Sequence, residues 1–182
     1  MREAEALKAA ARHDVADVHV PAAYAAADTL LSDAARRTAS ARTVGVAALD
    51  DPATEVEACA DLAQRARDAY QAVASRAHDV NGLKARLARF SSAMVHRKPA
   101  EVFECYSDPS VDRVFVGNLL AKCEAIRFRV GEPTIDGDGA HVPVLEFSYV
   151  DPDRADRVSL RGMRLLLRKV ADDWRVLNLR RE

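Results

Sequence analysis

The sequence contains few of the residues that mark small functional sites. Its three cysteines, Cys59, Cys105 and Cys123, are odd in number and form no Cys-x-x-Cys or Cys/His cluster, so we expect reduced thiols and no structural zinc. The five histidines form no His-x-His or His-x-x-x-His pair, which argues against a metal site. No glycine-rich phosphate loop or nucleophile elbow is present. We therefore predict neither a metal nor a cofactor.

The sequence also lacks a large net charge and a long apolar run. Its 182 residues include 27 Lys and Arg against 28 Asp and Glu, a net charge of -1, so there is no general attraction to nucleic acid or acidic membranes. No apolar segment approaches the roughly 20 residues of a membrane span, and the charged start has no signal-peptide core. These features predict a cytoplasmic protein, or an envelope-associated one if the chain is a fragment.

Alanine-rich helices are predicted for the first half of the chain. Pro21 suits the first position of a helix over residues 21–44, and Asp51 followed by Pro52 starts a second helix over residues 52–77. We expect the two helices to form an antiparallel hairpin. The second helix carries small and apolar residues in alternating steps of three and four, as in a heptad seam: Val56, Cys59, Ala63, Ala66, Tyr70, Val73 and Ala77. The seam is either an internal packing surface or a docking site for another protein's helix.

Shorter helices are predicted next, as the start of a second domain. The segment Asp79–Gly82 is expected to interrupt or kink the preceding helix. Helices introduced by proline are predicted over residues 99–106 and 111–121. A new apolar stripe follows the expected interruption: Leu83, Leu87, Phe90 and Met94. The predicted domains are a helical region, residues 1–78, and an α+β domain, residues 79–182.

Four β-strands are predicted near the end of the chain. They cover residues 125–135, 140–150, 157–170 and 174–181, and an Asp-Gly pair at 136–137 predicts a tight hairpin. The two middle strands carry apolar residues on both faces, and Gly162 is a candidate for a bulge that changes the phase. We therefore expect one face of the sheet to be covered by helices of residues 83–121. The other face is expected to be covered by the N-terminal hairpin or by a second copy of the chain.

The second half of the chain resembles the nuclear-transport-factor-2-like superfamily, which includes ketosteroid isomerases and polyketide cyclases. The resemblance rests on these motifs: Leu83-x-x-x-Leu87-x-x-Phe90, Pro99-x-x-Val102-Phe103-x-x-Tyr106, Gly137-Asp138-Gly139-Ala140-His141-Val142, and Trp174-Arg175-Val176. It implies an α+β fold in which a cone of curved antiparallel sheet wraps on three helices, with a pocket at the open end and frequent dimerisation. The segments Val20–Ala27 and Ala66–Tyr70 resemble the alanine-rich helical hairpins of bacterial envelope-associated proteins.

If this fold is adopted, three aromatic residues are candidates for the mouth of the pocket. They are Tyr106, Phe115 and Trp174, and the alternative for each is packing in the core. The resemblance also implies an Asp or a His–Asp pair in the pocket of the enzymes, often beside a tyrosine. No such pair can be matched to this sequence, so a catalytic residue is not assigned.

Glu146 and His141 are the residues considered for proton transfer. An imidazole titrates near neutrality, so His141 could shuttle protons beside Glu146 or Tyr106. If Glu146 is buried, Arg161 or Arg164 on the following strand is its expected partner. An unpaired buried Glu146 would instead have a raised pKa and could act as a general base.

These patterns favour a non-catalytic accessory domain, acting as a homodimer, that binds a small hydrophobic ligand or a protein partner. One alternative is an isomerase, dehydratase or cyclase that acts on a hydrophobic small molecule through Glu146 or His141 with Tyr106. The other is polyanion binding through the arginines of the last strands. Acidic residues are interleaved with those arginines, so nucleic acid is not the favoured partner.

Overall fold

The structure is a computed structural model that describes residues 2–13, 16, 20–44, 51–153 and 156–181. Within these ranges the chain forms five helices and six strands, which confirms the predicted α+β class. The chain divides into two compact units, residues 1–81 and residues 82–182. We refer to them as the first and the second unit.

The first unit is helical. It contains α1 (Arg2–His13), α2 (Pro21–Val44) and the part of α3 (Pro52–Val95) that precedes residue 82. Helices α2 and α3 are antiparallel, because Asp28 near the start of α2 contacts Tyr70 on α3, whereas Arg37 farther along α2 contacts Glu55 near the start of α3. The predicted helical hairpin is therefore present in the structure.

A polar network crosses the first unit. Asp28 of α2 accepts hydrogen bonds from Lys8 of α1 and from the Tyr70 hydroxyl of α3, the latter at 2.8 Å. Arg12 Nε donates to the Tyr24 hydroxyl at 2.8 Å, and the Tyr24 and Tyr70 rings meet edge to face at 5.9 Å between centroids. Because most other buried residues of the unit are alanines, which bury little area each, this network fixes how the three helices align.

The network also sets the ionisation of its members. The hydrogen bonds from Lys8 and Tyr70 lower the pKa of Asp28 despite partial burial. Burial and the hydrogen bond to Asp28 raise the pKa of Tyr70. A protonated phenol therefore donates to an ionised carboxylate across the hairpin.

Replacing Tyr70 by Phe is expected to lower the free energy of unfolding by about 1–2 kcal/mol, because it leaves Asp28 without one of its donors. The ring contact with Tyr24 is kept. Denaturant unfolding followed by far-ultraviolet circular dichroism measures the change. Ser32→Ala is the control, because that hydroxyl is exposed and donates to the Asp28 carbonyl of its own helix. We expect the control to change the free energy of unfolding by less than about 0.5 kcal/mol. A Tyr70→Phe chain as stable as the wild type would show that the network does not stabilise the unit.

The heptad seam of α3 is buried over only part of its length. Tyr70, Val73 and Ala77 are buried, whereas Val56 is 59% exposed and Cys59 is half-buried. In the described residues the seam thus packs inside the first unit from Ala66 onward.

Helix α3 continues through Asp79–Gly82, where an interruption or kink was expected. It runs without a break from Pro52 to Val95, so the predicted interruption is wrong. Asn, Asp and Gly each cost at most about 1 kcal/mol in a helix. Burial of Ala77 before the segment and Leu83 after it outweighs that cost.

The second unit packs three helices on one face of an antiparallel sheet. The helices are the part of α3 from residue 82 onward, α4 (Pro99–Glu104) and α5 (Arg113–Lys122). The strands are β1 (Glu124–Val130), β2 (Thr134–Asp136), β3 (Gly139–Asp151), β4 (Asp156–Ser159), β5 (Met163–Val170) and β6 (Asp173–Arg181). Strand β3 is the longest: β1 and β2 pair with one of its edges, β4 and β5 with the other, and β6 extends the sheet beyond β5.

Two of the four predicted strands are each divided in two. The strand expected over residues 125–135 is broken at 131–133, because Pro133 has no N–H for a strand ladder. The strand expected over 157–170 is broken at 160–162, where Gly162 has a φ of 67°, a conformation that glycine adopts readily. Gly162 thus marks a break between β4 and β5, not a bulge within one strand.

An apolar core lies between these helices and the sheet. The predicted stripe of α3 is buried in it, with Phe90 at its centre: the Phe90 ring lies 5.6 Å from Phe128 and 5.9 Å from Tyr106 between centroids. Phe147 of β3 continues the cluster, 5.2 Å from Phe128. Aromatic side chains therefore fill the space between α3 and the curved sheet.

Candidate functional site

The three aromatic residues predicted at a pocket mouth lie in different surroundings. Trp174 and Tyr106 are 2% and 3% exposed and belong to the core. Phe115 on α5 is 41% exposed, with its ring 6.4 Å from that of Phe147. Tyr106 lines a cleft whose lining includes neither Phe115 nor Trp174.

Tyr106 is held by an aspartate in an unusual conformation. Its hydroxyl donates to Asp112 Oδ2 at 3.2 Å, and the same oxygen accepts the backbone N–H of Leu179 at 2.7 Å. Asp112 has a φ of 57°, in the left-handed region that costs energy for a residue with a Cβ. Burial, followed by the charge of Asp112, raises the pKa of Tyr106. The phenol is therefore protonated and already engaged, and the pair ties the segment before α5 to β6.

The two residues considered for proton transfer are far apart. Glu146 follows His141 by five positions along β3, which at about 3.3 Å per residue is about 16 Å, so the expected shuttle beside Glu146 is not formed. Glu146 is half-buried, and its carboxylate lies 3.8 Å from Arg127 on β1. Among the residues that the structure describes, the ion pair of Glu146 is this one and not the expected pair with Arg161 or Arg164; Arg164 lies opposite Pro143 in register.

Charged residues that pair with one another line a polar cleft of about 540 Å³ next to Tyr106. Arg86, whose side chain is 12% exposed, donates to both carboxylate oxygens of Asp173 at 2.5 and 2.6 Å, and Arg175 lies 2.9 Å from the same carboxylate. Burial alone would raise the pKa of Asp173, but the hydrogen bonds and charge of Arg86, with the charge of Arg175, lower it. These ion pairs join α3 to β6, which is a structural role.

A second, mainly apolar cleft of about 560 Å³ lies between α3 and the chain that connects β1 to β2. Its volume is within the usual range for small-molecule sites. Its lining residues are Lys84, Leu87, Ala88, Ser91, Arg129, Val130, Gly131, Glu132, Pro133 and Leu145. We call it the α3–β1 cleft.

The break between β1 and β2 forms one wall of the α3–β1 cleft. The Gly131 N–H donates to the Pro143 carbonyl at 2.8 Å, and a Cβ on Gly131 would lie 3.1 Å from the Pro143 ring and 3.3 Å from the Leu145 side chain. Glycine therefore permits the close approach. The register shifts between Arg129 and Val130, and Leu145 opposite them is 60% exposed. Sequence reasoning missed this wall, because it treated residues 125–135 as one strand.

The cleft contains three polar groups of interest. Lys84 Nζ lies 3.7 Å from Glu132, a residue whose side chain is 89% exposed. Arg129 makes no salt bridge with any residue that the structure describes. Ser91 Oγ is buried and has no hydrogen-bond partner among the residues that the structure describes. This arrangement offers an apolar surface with hydrogen-bond donors at its rim.

The structure also bears on metal binding and membrane insertion. Within the described ranges, no three His, Cys, Asp or Glu side chains come together as a metal site. In those ranges no helix combines the length and apolar character needed to cross a bilayer. Cys59, Cys105 and Cys123 are free thiols, of which Cys105 is buried.

No protein-family model and no curated protein matches the chain. Among solved structures, it is similar to a candidate aromatic ring hydroxylase from Novosphingobium aromaticivorans, with 13% identity over 56% of this chain and 85% of that one and a TM-score of 0.46. A candidate dehydratase of the NTF2-like family from Streptomyces avermitilis has 15% identity over 56% and 92% and a TM-score of 0.45. A protein from Catenulispora acidiphila with a ketosteroid isomerase-like fold, in complex with trimethylamine, has 9% identity over 52% and 81% and a TM-score of 0.42.

Proposed function

We propose that the chain is a non-catalytic accessory protein whose α+β domain, of the nuclear-transport-factor-2-like superfamily, binds a small apolar ligand in the α3–β1 cleft. The observation that carries this proposal is the cleft itself, which has the volume of a small-molecule site and a mainly apolar wall. The space between α3 and the sheet is filled by Phe90, Phe128 and Phe147, so the cleft is the better place for a ligand.

The disposition of the acid–base candidates supports a binding function over an enzymatic one. Tyr106 is engaged with Asp112, and Glu146 is beside Arg127, about 16 Å along the strand from His141. General acid–base catalysis needs such groups within hydrogen-bond reach of one substrate. An isomerase, dehydratase or cyclase remains the second candidate, and turnover of hydrophobic ketones that is lost in Glu146→Gln would establish it.

We propose two domains, residues 1–78 and 79–182, in a homodimer formed through the sheet face that carries His141. Leu166 and Leu177 line a shallow depression of about 370 Å³ beside His141, which supports an interface there. Native mass spectrometry of the full chain tests the dimer, and a monomer at micromolar concentration would contradict it.

The free thiols suit a reducing compartment such as the cytoplasm.

Replacing Ala88 by Trp is expected to block the α3–β1 cleft. Ala88 is an exposed residue of α3 that lines the cleft, so the indole occupies the ligand volume without entering the core. With the neutral dye N-phenyl-1-naphthylamine as the probe, we expect at least about a tenfold loss of affinity, which corresponds to about 1.4 kcal/mol. Dye fluorescence measures the binding.

Ala121→Trp is the matched control, because Ala121 is exposed on α5 of the same unit and does not line the cleft. It should bind the dye as the wild type does. Equal affinity of the wild type and Ala88→Trp would refute the cleft as the binding site.

A further inference from the structure

We infer that the α3–β1 cleft selects an apolar molecule that carries one acidic group, such as a carboxylate or a sulfonate. The inference rests on the proposed function and adds the chemical class of its ligand. It comes from the charges around the cleft, because the apolar wall alone would not distinguish an acid from a neutral molecule.

Cations outnumber anions at the rim of the cleft. Lys84 and Arg129 line it, against Glu132 alone. The Glu132 side chain is 89% exposed and stands 3.7 Å from Lys84, which is 43% exposed, so water screens this pair and the two charges offset each other. Arg129, which is also exposed, is the remaining charge at the rim.

Arg129 is the cation best placed to receive an acidic group. Glu146 is its cross-strand neighbour in register, yet the ion pair of Glu146 is with Arg127, at 3.8 Å. Among the residues that the structure describes, Arg129 has no salt bridge. An arginine that flanks an apolar wall can bind a carboxylate or sulfonate through two parallel N–H groups.

Ser91 adds a hydroxyl to this surface. Lys84, Ala88 and Ser91 are spaced four and three residues apart on α3, so they lie along one face of the helix. The Ser91 Oγ is buried without a hydrogen-bond partner in the described chain. Buried hydroxyls are normally satisfied, and Ser91 lines the cleft, so a ligand oxygen there would supply the partner that this hydroxyl lacks. The face thus offers, in order, a cation, a small residue that leaves room, and a hydroxyl donor.

The test compares two dyes that share one ring system. The anion 8-anilinonaphthalene-1-sulfonate and the neutral N-phenyl-1-naphthylamine differ by the sulfonate group. Each is titrated into the 182-residue wild-type chain, Arg129→Gln, Ala88→Trp and the control Arg161→Gln. Arg161 is an exposed arginine of the second unit outside the cleft. Fluorescence reports binding, and denaturant midpoints show that all variants are folded.

We expect the wild type to bind the anionic dye about fivefold to tenfold more tightly than the neutral dye. Arg129→Gln should remove most of this preference while leaving the neutral dye within about twofold, and high salt should reduce the preference as well. Arg161→Gln should behave as the wild type.

The possible failures are distinct. If both dyes bind equally and Ala88→Trp abolishes both, the charge inference is overturned and the proposed function stands. If the preference survives in Arg129→Gln, the inference is also overturned. If neither dye binds, or if Ala88→Trp binds both normally, the proposed function itself fails.

Discussion

Phe90→Ala is expected to destabilise the second unit by about 3–5 kcal/mol, the usual cost of truncating a buried phenylalanine. Phe90 is fully buried, and its ring meets Phe128 and Tyr106 edge to face. The substitution removes a ring between α3 and the sheet and leaves a cavity that rigid strands close poorly. Trp174, the one tryptophan of the sequence, lies in the same core, so its fluorescence during denaturant unfolding reports this unit.

Two control variants give this prediction its scale. Phe90→Leu keeps most of the volume and should cost about 1–2 kcal/mol. Val114→Ala, at a side chain that is 79% exposed, should change the free energy of unfolding by less than about 0.5 kcal/mol. If Phe90→Ala cost no more than Val114→Ala, Phe90 would not be part of the core.

Asp173→Ala is expected to lower the free energy of unfolding by about 2–3 kcal/mol. This value lies between the costs of breaking an exposed ion pair and a fully buried one. The cost comes mainly from Arg86, whose side chain is 12% exposed and whose Nη2 loses the carboxylate to which it donates. Arg86→Met should cost less, because the Asp173 side chain is 41% exposed and keeps Arg175 at 2.9 Å. Denaturant unfolding of both single variants measures the difference. If Arg86→Met lowered the free energy of unfolding more than Asp173→Ala does, the deeper burial of Arg86 would not explain the cost.

The Asp173 contribution should depend on pH in a defined direction. Because the folded pKa of Asp173 is lowered by Arg86 against the effect of burial, the stabilisation is complete above the unfolded pKa of about 3.9. It is lost as the pH falls through the lower folded pKa. The stability gap between the wild type and Asp173→Asn should therefore be constant near neutrality and narrow in acid. A gap that widened on acidification would show that Asp173 is not paired with Arg86.

Local signals predicted the helices and most of the core. Pro21 and Pro52 begin the helices that they were expected to begin, because a proline at the first helical position has no N–H to satisfy. The spacing of Leu83, Leu87 and Phe90 identified the face of α3 that is buried. These features depend on neighbouring residues, which a single sequence displays directly.

Long-range pairing was harder to predict. A continuous β pattern does not show that β4 pairs with the end of β3 while β5 pairs with its beginning. The α3–β1 cleft depends on that pairing and on the approach of Gly131 to Pro143. Tyr106 and Trp174 were candidates for the mouth of a pocket, with packing in the core as the alternative. Their burial, which separates these two possibilities, follows from the tertiary structure.

The central claim is that the second unit binds its ligand in the α3–β1 cleft. Amide chemical-shift mapping of the 182-residue chain, titrated with 8-anilinonaphthalene-1-sulfonate, tests it most directly. The account predicts the largest shifts along one face of α3 around Ala88 and across residues 129–133, with small shifts near Trp174. Shifts centred on Trp174 and Tyr106, or on helices α1 and α2, would contradict it and place the ligand elsewhere in the molecule.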